Sequence, residues 1–346
     1  MTRCIVFLII CFHSMCSSKP FTIAFFIQHL SFRGTEIATY DYAHYNETML
    51  NNRSVIINWD VYTHNAVRDR FSQRFDNRLY DCSSWEQVDE VIIKESVDLL
   101  YIIKPCTVHP RYADGRVTHV CKTALHLVFP WPTTIKGDVY AHISDWMAHV
   151  HKGYSDAVVP HMVYLTDEKS DLRDELSIPQ DALVFGRHGG EDTFDVPFAA
   201  EVVTRFAKAH PHIYFLFLNT PEFCSLPNVI YLPKTTDLVY KTKFINSCDA
   251  MVHARWLGET FGLACAEFSI LNKPVITWTG SPQKAHIQIL GPKGIYYTTA
   301  DDLYRILETF QKQPNKNWDM HSGWYQPEPV MNAFDTVFIK PFKQEE

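Results

Sequence analysis

Apolar residues along this chain come in short runs that alternate with stretches of helical periodicity. "FTIAFFI" (Phe21 to Ile27) is continuously apolar over a strand's length, the turn "SFRG" follows, and from Thr35 to about Tyr45 the spacing predicts a helix. The alternation continues through "SVIINW", "NAVRDRFSQRF", "WEQVDEVIIKES" and "VDLLYIIK", then "ALHLVF", "VYAHIS" and "AVVPHMV". Strands apolar on both faces belong to a parallel sheet with helices on each side. The polar segment "TDEKSDLRDELSIPQD" (Thr166 to Asp181) breaks the pattern, as a domain boundary does.

Beyond that boundary the alternation restarts. Strand "ALVFGR" leads through "HGGEDTFD" to the helix "VPFAAEVVTRFAKAH", then to strands "IYFLFLN" and "VIYLP". A helix around "DLVYKTKFINSC" precedes strand "AMVHA", the stretch "RWLGETFGLACAEF" and strand "PVITW". The pattern predicts two doubly wound, Rossmann-like α/β domains, residues 19–165 and 166–325, with a tail at 326–346. Such sheets bind ligands beyond the carboxyl ends of their strands, so the site is expected in the cleft where the domains face each other.

Composition agrees with this division and excludes several functions. At 346 residues and 46% hydrophobic, the chain exceeds one ordinary core. With 21% charged residues and a formal net charge of −7, it lacks the basic field that recruits nucleic acid. No apolar run reaches the roughly 18 residues of a spanning helix. Peripheral membrane contact is left open. At the start, Arg3, the run "CIVFLIICF" and the small, polar "HSMCSSKP" resemble a secretory signal ending near residue 18, which implies the secretory lumen or secretion; the alternative is a leader on a cytoplasmic chain. The sequons "NET" at Asn46 and "NRS" at Asn52 agree with the signal. Removing it would take Cys4, Cys11 and Cys16 and leave six scattered cysteines, among them Cys82, Cys106 and Cys121, read as free thiols rather than a metal cage. "HVH" (His149 to His151) and "HPH" (His210 to His212) read as surface or capping histidines, so no metal ligands are assigned.

The most informative stretch is "GETFGLACAEF" (Gly258 to Phe268). The strand "AMVHA" ends before it and helix formers follow it, so a helix starts close to Gly262 and directs its first N–H groups into the cleft, where they suit a phosphate. Glu259 precedes this anion site and Glu267 lies about one turn inside the helix. Carboxylates accept hydrogen bonds from hydroxyls and repel phosphate, so a ligand with hydroxyls at both ends and a diphosphate between them fits: a nucleotide sugar. The same spacing also arises where two acids merely favour a helix dipole.

The stretch "CDAMVHARWLGETFGLACAEFSILNKPVI" (Cys248 to Ile276) resembles the signature of the family-four retaining glycosyltransferases of the GT-B fold, in which two glutamates separated by seven residues flank an aromatic–glycine pair. "FRGTEIATYDYA" is similar to that family's first glycine loop, "LHLVF" to its histidine-bearing strand, "HISDWMA" with "AVVPHMV" to its lead-in to the linker, and "FGRHGGEDTFD" to its phosphate-binding turn. The resemblance implies a retaining, metal-independent transferase that uses a nucleotide-sugar donor, a carbohydrate or glycoconjugate acceptor and no further cofactor. It implies that Glu259 binds donor-sugar hydroxyls with backbone groups of Thr260, Phe261 and Gly262, that Leu263 N–H faces the distal phosphate, and that Glu267 takes the ribose. It places Arg187 on the diphosphate, Gly34 at a close backbone approach, and His126 beside the sugar. It also implies a tail folded back on the first domain. One departure stands out: the lysine that usually follows the arginine is absent, the positions reading Asp192, Thr193 and Phe194. Arg255, or the pair Gly189 and Gly190, would have to compensate. The absence favours one alternative, a catalytically inactive nucleotide-sugar or glycan binder; another GT-B enzyme such as an epimerase is a second.

Overall fold

A computed structural model describes residues 19–59, 63–103 and 109–343. The leader at 1–18 and Cys106 lie outside the described residues. In the first lobe, β1 (Thr22–Ile27), β2 (Arg53–Asn58), β3 (Leu79–Asp81), β4 (Leu99–Ile103), β5 (Lys122–Leu127) and β6 (Val139–His142) form a parallel sheet in the order β3-β2-β1-β4-β5-β6. Strand side chains alternate between faces, and β1 shows what that does here. Ile23, Phe25 and Ile27 join a core with α1 (Gly34–Thr48), α2 (Asn65–Phe75) and the C-terminal segment. Ala24 and Phe26 join the opposite core under α3 (Trp85–Glu95). A strand buried on both faces must be apolar at every position, hence "TIAFFI".

The second lobe repeats the plan with β7 (Leu183–Arg187), β8 (Ile213–Leu218), β9 (Val229–Leu232), β10 (Ala250–His253), β12 (Val275–Trp278) and β14 (Ile295–Tyr297), ordered β14-β12-β10-β7-β8-β9. Phe185, Phe215 and Phe217 face α5 (Ala199–Ala209) and α9 (Ala300–Thr309). Val184, Leu216 and Leu218 face α6 (Leu238–Ser247) and α7 (Leu263–Ile270). A two-residue ladder, β11 (Gly258–Glu259) with β13 (Gln283–Lys284), stands beyond the main sheet. Strand order reverses between β1 and β4 and again between β7 and β10, and such switch points open the crevices that ligands use.

Contacts tie the lobes together. Short helices α4 (Asp145–Val150), after β6, and α8 (Ala285–Leu290), after β13, pack across the cleft. Val163 N–H donates to Tyr325 O at 2.6 Å where the chain returns to the first lobe. There α10 (Pro327–Phe334) and the turns that follow it cover the first sheet, with the Phe334 ring 5.3 Å from Tyr101 and 5.2 Å from Tyr42.

Three details depart from the sequence reading. "AVVPHMV" is not a strand: Val158 makes a lone bridge to His142, and Pro160, lacking an N–H, cannot extend a ladder. Short edge strands β3 and β14 escape an apolar-run search because they are three residues long and partly exposed. The sequon asparagines are buried, Asn46 Nδ2 donating to Ser54 Oγ at 2.9 Å and Asn52 Nδ2 to Asn46 Oδ1 at 2.9 Å, so neither amide is presented for glycosylation in the folded chain. Cys82, Cys121, Cys224, Cys248 and Cys265 are free thiols.

Phe334 fills the first core from outside the contiguous lobe, so Phe334→Ala is expected to cost about 3–5 kcal/mol through lost burial and a residual cavity. Urea unfolding followed by near-ultraviolet circular dichroism measures it; a change below about 1 kcal/mol would mean that the segment docks without supporting the core.

Candidate functional site

The site starts where β10 ends. Gly258 has φ 73°, and a Cβ there would lie 2.0 Å from Gln283 O, so only glycine lets β11 pair with β13. That pairing fixes the backbone of Glu259. Arg255 Nη1 donates to its Oε2 at 2.6 Å, and His253 Nε2 lies 3.3 Å from its Oε1. Behind it, His253 Nδ1 is 2.8 Å from Thr277 Oγ1, which is 3.1 Å from His286 Nε2. An ionised carboxylate only accepts, so His253 donates to it from Nε2, while its Nδ1 and the Thr277 hydroxyl link it to His286. Burial alone would raise the Glu259 pKa, but the His253 hydrogen bond and the Arg255 charge outweigh it and hold it at about 2. His286 is pushed down to about 3 by burial and stays neutral.

The next residues join the lobes. Ser144 Oγ, at the end of β6, donates to Thr260 O at 2.6 Å. Phe261 is 2% exposed and inserted into the first lobe's core, its ring 5.5 Å from His161 and 5.3 Å from Tyr325. Gly262, at φ 98°, caps α7 in a left-handed conformation that a side chain would strain. Leu263 opens the helix, and a Cβ on Gly34 would come within 3.3 Å of its Cδ1. The N-termini of α1 and α7 therefore meet across the cleft, and neither has a side-chain cap. Two positive helix ends facing one gap make it a place for an anion.

Glu267, 6% exposed, sits one turn into α7. Lys241 Nζ donates to its Oε1 at 2.6 Å. His188 Nε2 approaches Oε2 at 3.0 Å, poorly aligned for a hydrogen bond. Burial opposes ionisation, yet the Lys241 charge holds Glu267 at about 2, with His188, whose own pKa burial lowers, beside it. Neither Lys241 nor His188 was read from the sequence; His188 directly follows Arg187, while Lys241 is an ordinary helix lysine until the fold sets α6 beside α7.

Two expected placements are corrected. Arg187 does not extend free into the cleft: Nη1 donates to Asn219 O at 3.0 Å and to Thr220 Oγ1, and Nη2 donates to Gly190 O at 2.7 Å and Thr193 Oγ1 at 2.6 Å. All four terminal N–H groups are engaged, because the guanidinium is 2% exposed and a buried donor needs an acceptor. Thr193, in the segment where a lysine was expected, is one of those acceptors. Asn219 Nδ2 holds Gly189 O at 2.8 Å, so Gly189 and Gly190 are parts of the same braced turn. Arg255 likewise is committed to Glu259. His126 is fully buried on the core side of β5, with Nδ1 2.6 Å from Tyr101 OH and its ring 5.5 Å from Phe338; burial pushes its pKa down to about 3. Residues 124 and 128 share that core, and strand alternation puts 126 with them.

Glu267 is held low, so its pairing stabilises the fold above the ordinary carboxylate value of 4.5 and is lost as pH falls towards 2. Lys241→Met leaves a buried carboxylate unmatched and is expected to cost about 3–5 kcal/mol at neutral pH. The loss should shrink on acidification as Glu267 takes a proton, and Lys241→Met with Glu267→Leu should recover most of it. Urea titrations from pH 4 to pH 8 check this, and a pH-independent loss would count against the pair.

No family model and no curated protein matches this sequence. Solved structures do. HepE of Anabaena in complex with UDP-glucose superposes with TM-score 0.69 at 13% identity, covering 91% of this chain and 99% of that one. A glycosyltransferase from Rickettsia africae gives 0.64 at 14%, covering 93% and 95%. A candidate UDP-N-acetylglucosamine 2-epimerase from Listeria monocytogenes gives 0.60 at 11%, covering 95% and 99%. With two parallel six-stranded sheets facing across a cleft and these likenesses along nearly its whole length, the chain has the GT-B fold.

Proposed function

We propose that the chain is a retaining glycosyltransferase that moves a sugar from a nucleotide-diphosphate donor to a glycan, lipid-linked or protein-linked acceptor. The observation that carries this is the arrangement of Glu259 and Glu267 on either side of the uncapped α7 N-terminus, with the uncapped α1 N-terminus opposite. HepE, a structure of the same fold, was solved with UDP-glucose. In this reading the diphosphate lies between the helix ends, Glu259 accepts hydrogen bonds from the sugar hydroxyls, and Glu267 accepts from the ribose. A carboxylate oxygen has more than one acceptor site, so Glu267 can hold Lys241 and a hydroxyl together.

Each part has a chemical task. As the bond from the anomeric carbon to phosphate oxygen breaks, negative charge grows on the departing diphosphate, and the fixed N–H groups of both helices stabilise it. The acceptor hydroxyl attacks from the face the diphosphate leaves and passes its proton to a phosphate oxygen, so the configuration is retained. This route calls on no metal or cofactor. Glu259 stays ionised throughout the physiological range, since its pKa of about 2 lies far below it. Contact between the lobes through Phe261 and Ser144 keeps water from the activated sugar.

A specific observation favours a second reading, binding without transfer: Arg187 spends its terminal N–H groups on protein acceptors and no lysine stands at Asp192 to Phe194. Thermal-shift titration with UDP-glucose, UDP-N-acetylglucosamine, GDP-mannose and ADP-glucose tests donor binding. At least one donor is expected to raise the melting midpoint, and Glu267→Ala to weaken that donor by about ten- to hundredfold, the loss of roughly 1.5–3 kcal/mol of charged hydrogen bonding. No shift with any donor would overturn the reading. Product analysis with the binding donor then separates transfer from isomerised sugar and from simple retention.

A further inference from the structure

A second recess opens in the cleft, where α4 of the first lobe meets α8 of the second. It is a cavity of about 200 Å³ bordered by Ser144, Asp145 and Trp146 of the first lobe, by Gln288 and Ile289 of α8, and by Tyr325. Its chemistry is the reverse of the diphosphate gap. Among the described residues the only charged one lining it is the exposed Asp145, with no lysine or arginine there, so a phosphate or other anion is repelled. Trp146 and Tyr325 are partly buried aromatic rings, and both pack against the first lobe's core, which fixes them as walls. The Tyr325 phenol has its pKa raised by burial and then by the Asp145 charge, so carboxylate and hydroxyl lie near each other.

Rigid aromatic surface, one carboxylate, one amide and one phenol suit a ligand with apolar C–H faces and a rim of hydroxyls. At roughly 30 Å³ per water the space equals about six or seven waters, the bulk of one sugar ring rather than a chain of them. Position supplies the connection to the reaction. Ser144, on the cavity's edge, holds Thr260 O at 2.6 Å, and Thr260 follows Glu259 directly. Since each lobe supplies one wall, the recess exists as a whole only while the lobes are together.

The geometry points to this recess as a subsite for one neutral pyranose unit of the acceptor, stacked on Trp146 and Tyr325 with its hydroxyls on Asp145 and Gln288. The assignment rests on the glycosyltransferase reading of the cleft, and the test separates the two. Saturation-transfer difference NMR on the full chain, with the methyl glycosides of glucose, galactose, mannose and N-acetylglucosamine as probes, reads the subsite; thermal shift with UDP-glucose and the three other donors on the same samples reads the donor site. At least one glycoside is expected to show transfer to its ring protons, reduced at least fivefold by Trp146→Ala and by Gln288→Leu. The second variant changes an exposed residue and keeps the test usable should the first fail to fold. No transfer from any of the glycosides, or transfer that survives the variants that fold, overturns the subsite. Donor shifts without glycoside signal sink the subsite alone, whereas glycoside signal without any donor shift leaves the subsite and sinks the transferase reading.

Discussion

The structure turns on the insertion of Phe261 into the core of the opposite lobe. One aromatic ring, 2% exposed, closes the cleft where the strongest functional candidates stand. Its neighbours follow from that constraint. Thr260 must offer its carbonyl to Ser144, Gly262 must take a left-handed turn to begin α7 behind the buried ring, and Leu263 must meet Gly34. Burying a phenylalanine side chain contributes roughly 1.5–3 kcal/mol, enough to favour a closed arrangement yet small enough for the lobes to part.

The second theme is how buried acids are kept charged. Asp41 on α1 and Glu267 on α7 are both buried, but they end at opposite extremes. Burial pushes Asp41 up to about 7, since its nearest help is the Tyr164 hydroxyl at 2.7 Å and Arg70 at 3.9 Å. Glu267 has Lys241 in direct contact and His188 beside it, and is held at about 2. Glu259 has Arg255 in direct contact and His253 Nε2 donating to it. A close cation decides whether desolvation wins. The carboxylates that flank the α7 N-terminus are the ones supplied with it.

The cations themselves illustrate a cost of burial. Arg187 keeps its charge but is pushed down to about 10 by desolvation, and its four acceptors are split between the Gly190–Thr193 turn and the loop after β8. What it gives its surroundings is its field and the shape of the Gly189–Gly190 turn rather than a free fork. The α7 N-terminus has no side-chain cap, whereas the first turn of α1 holds the buried Glu36 carboxyl, which accepts a backbone N–H there.

Much of this was legible in the residues alone. Continuous apolar runs such as "TIAFFI" marked strands buried on both faces, and the order of glutamate, aromatic, glycine and glutamate marked the turn into α7, because periodicity and glycine's conformational range are local properties. Pairings between distant segments were not legible. Lys241 reaches Glu267 only because α6 packs beside α7; Arg187 finds two of its acceptors on the loop after β8; and His126, which in the chain looks like any histidine near a strand end, is turned inward by the alternation of β5 and covered by a segment two hundred residues later. Local chemistry determined the elements, their register of apolar faces and the identity of the anion-facing turn. Which charges were matched, which donors were already spent and where the lobes touched were decided by tertiary packing, since burial and proximity have no counterpart along an extended chain.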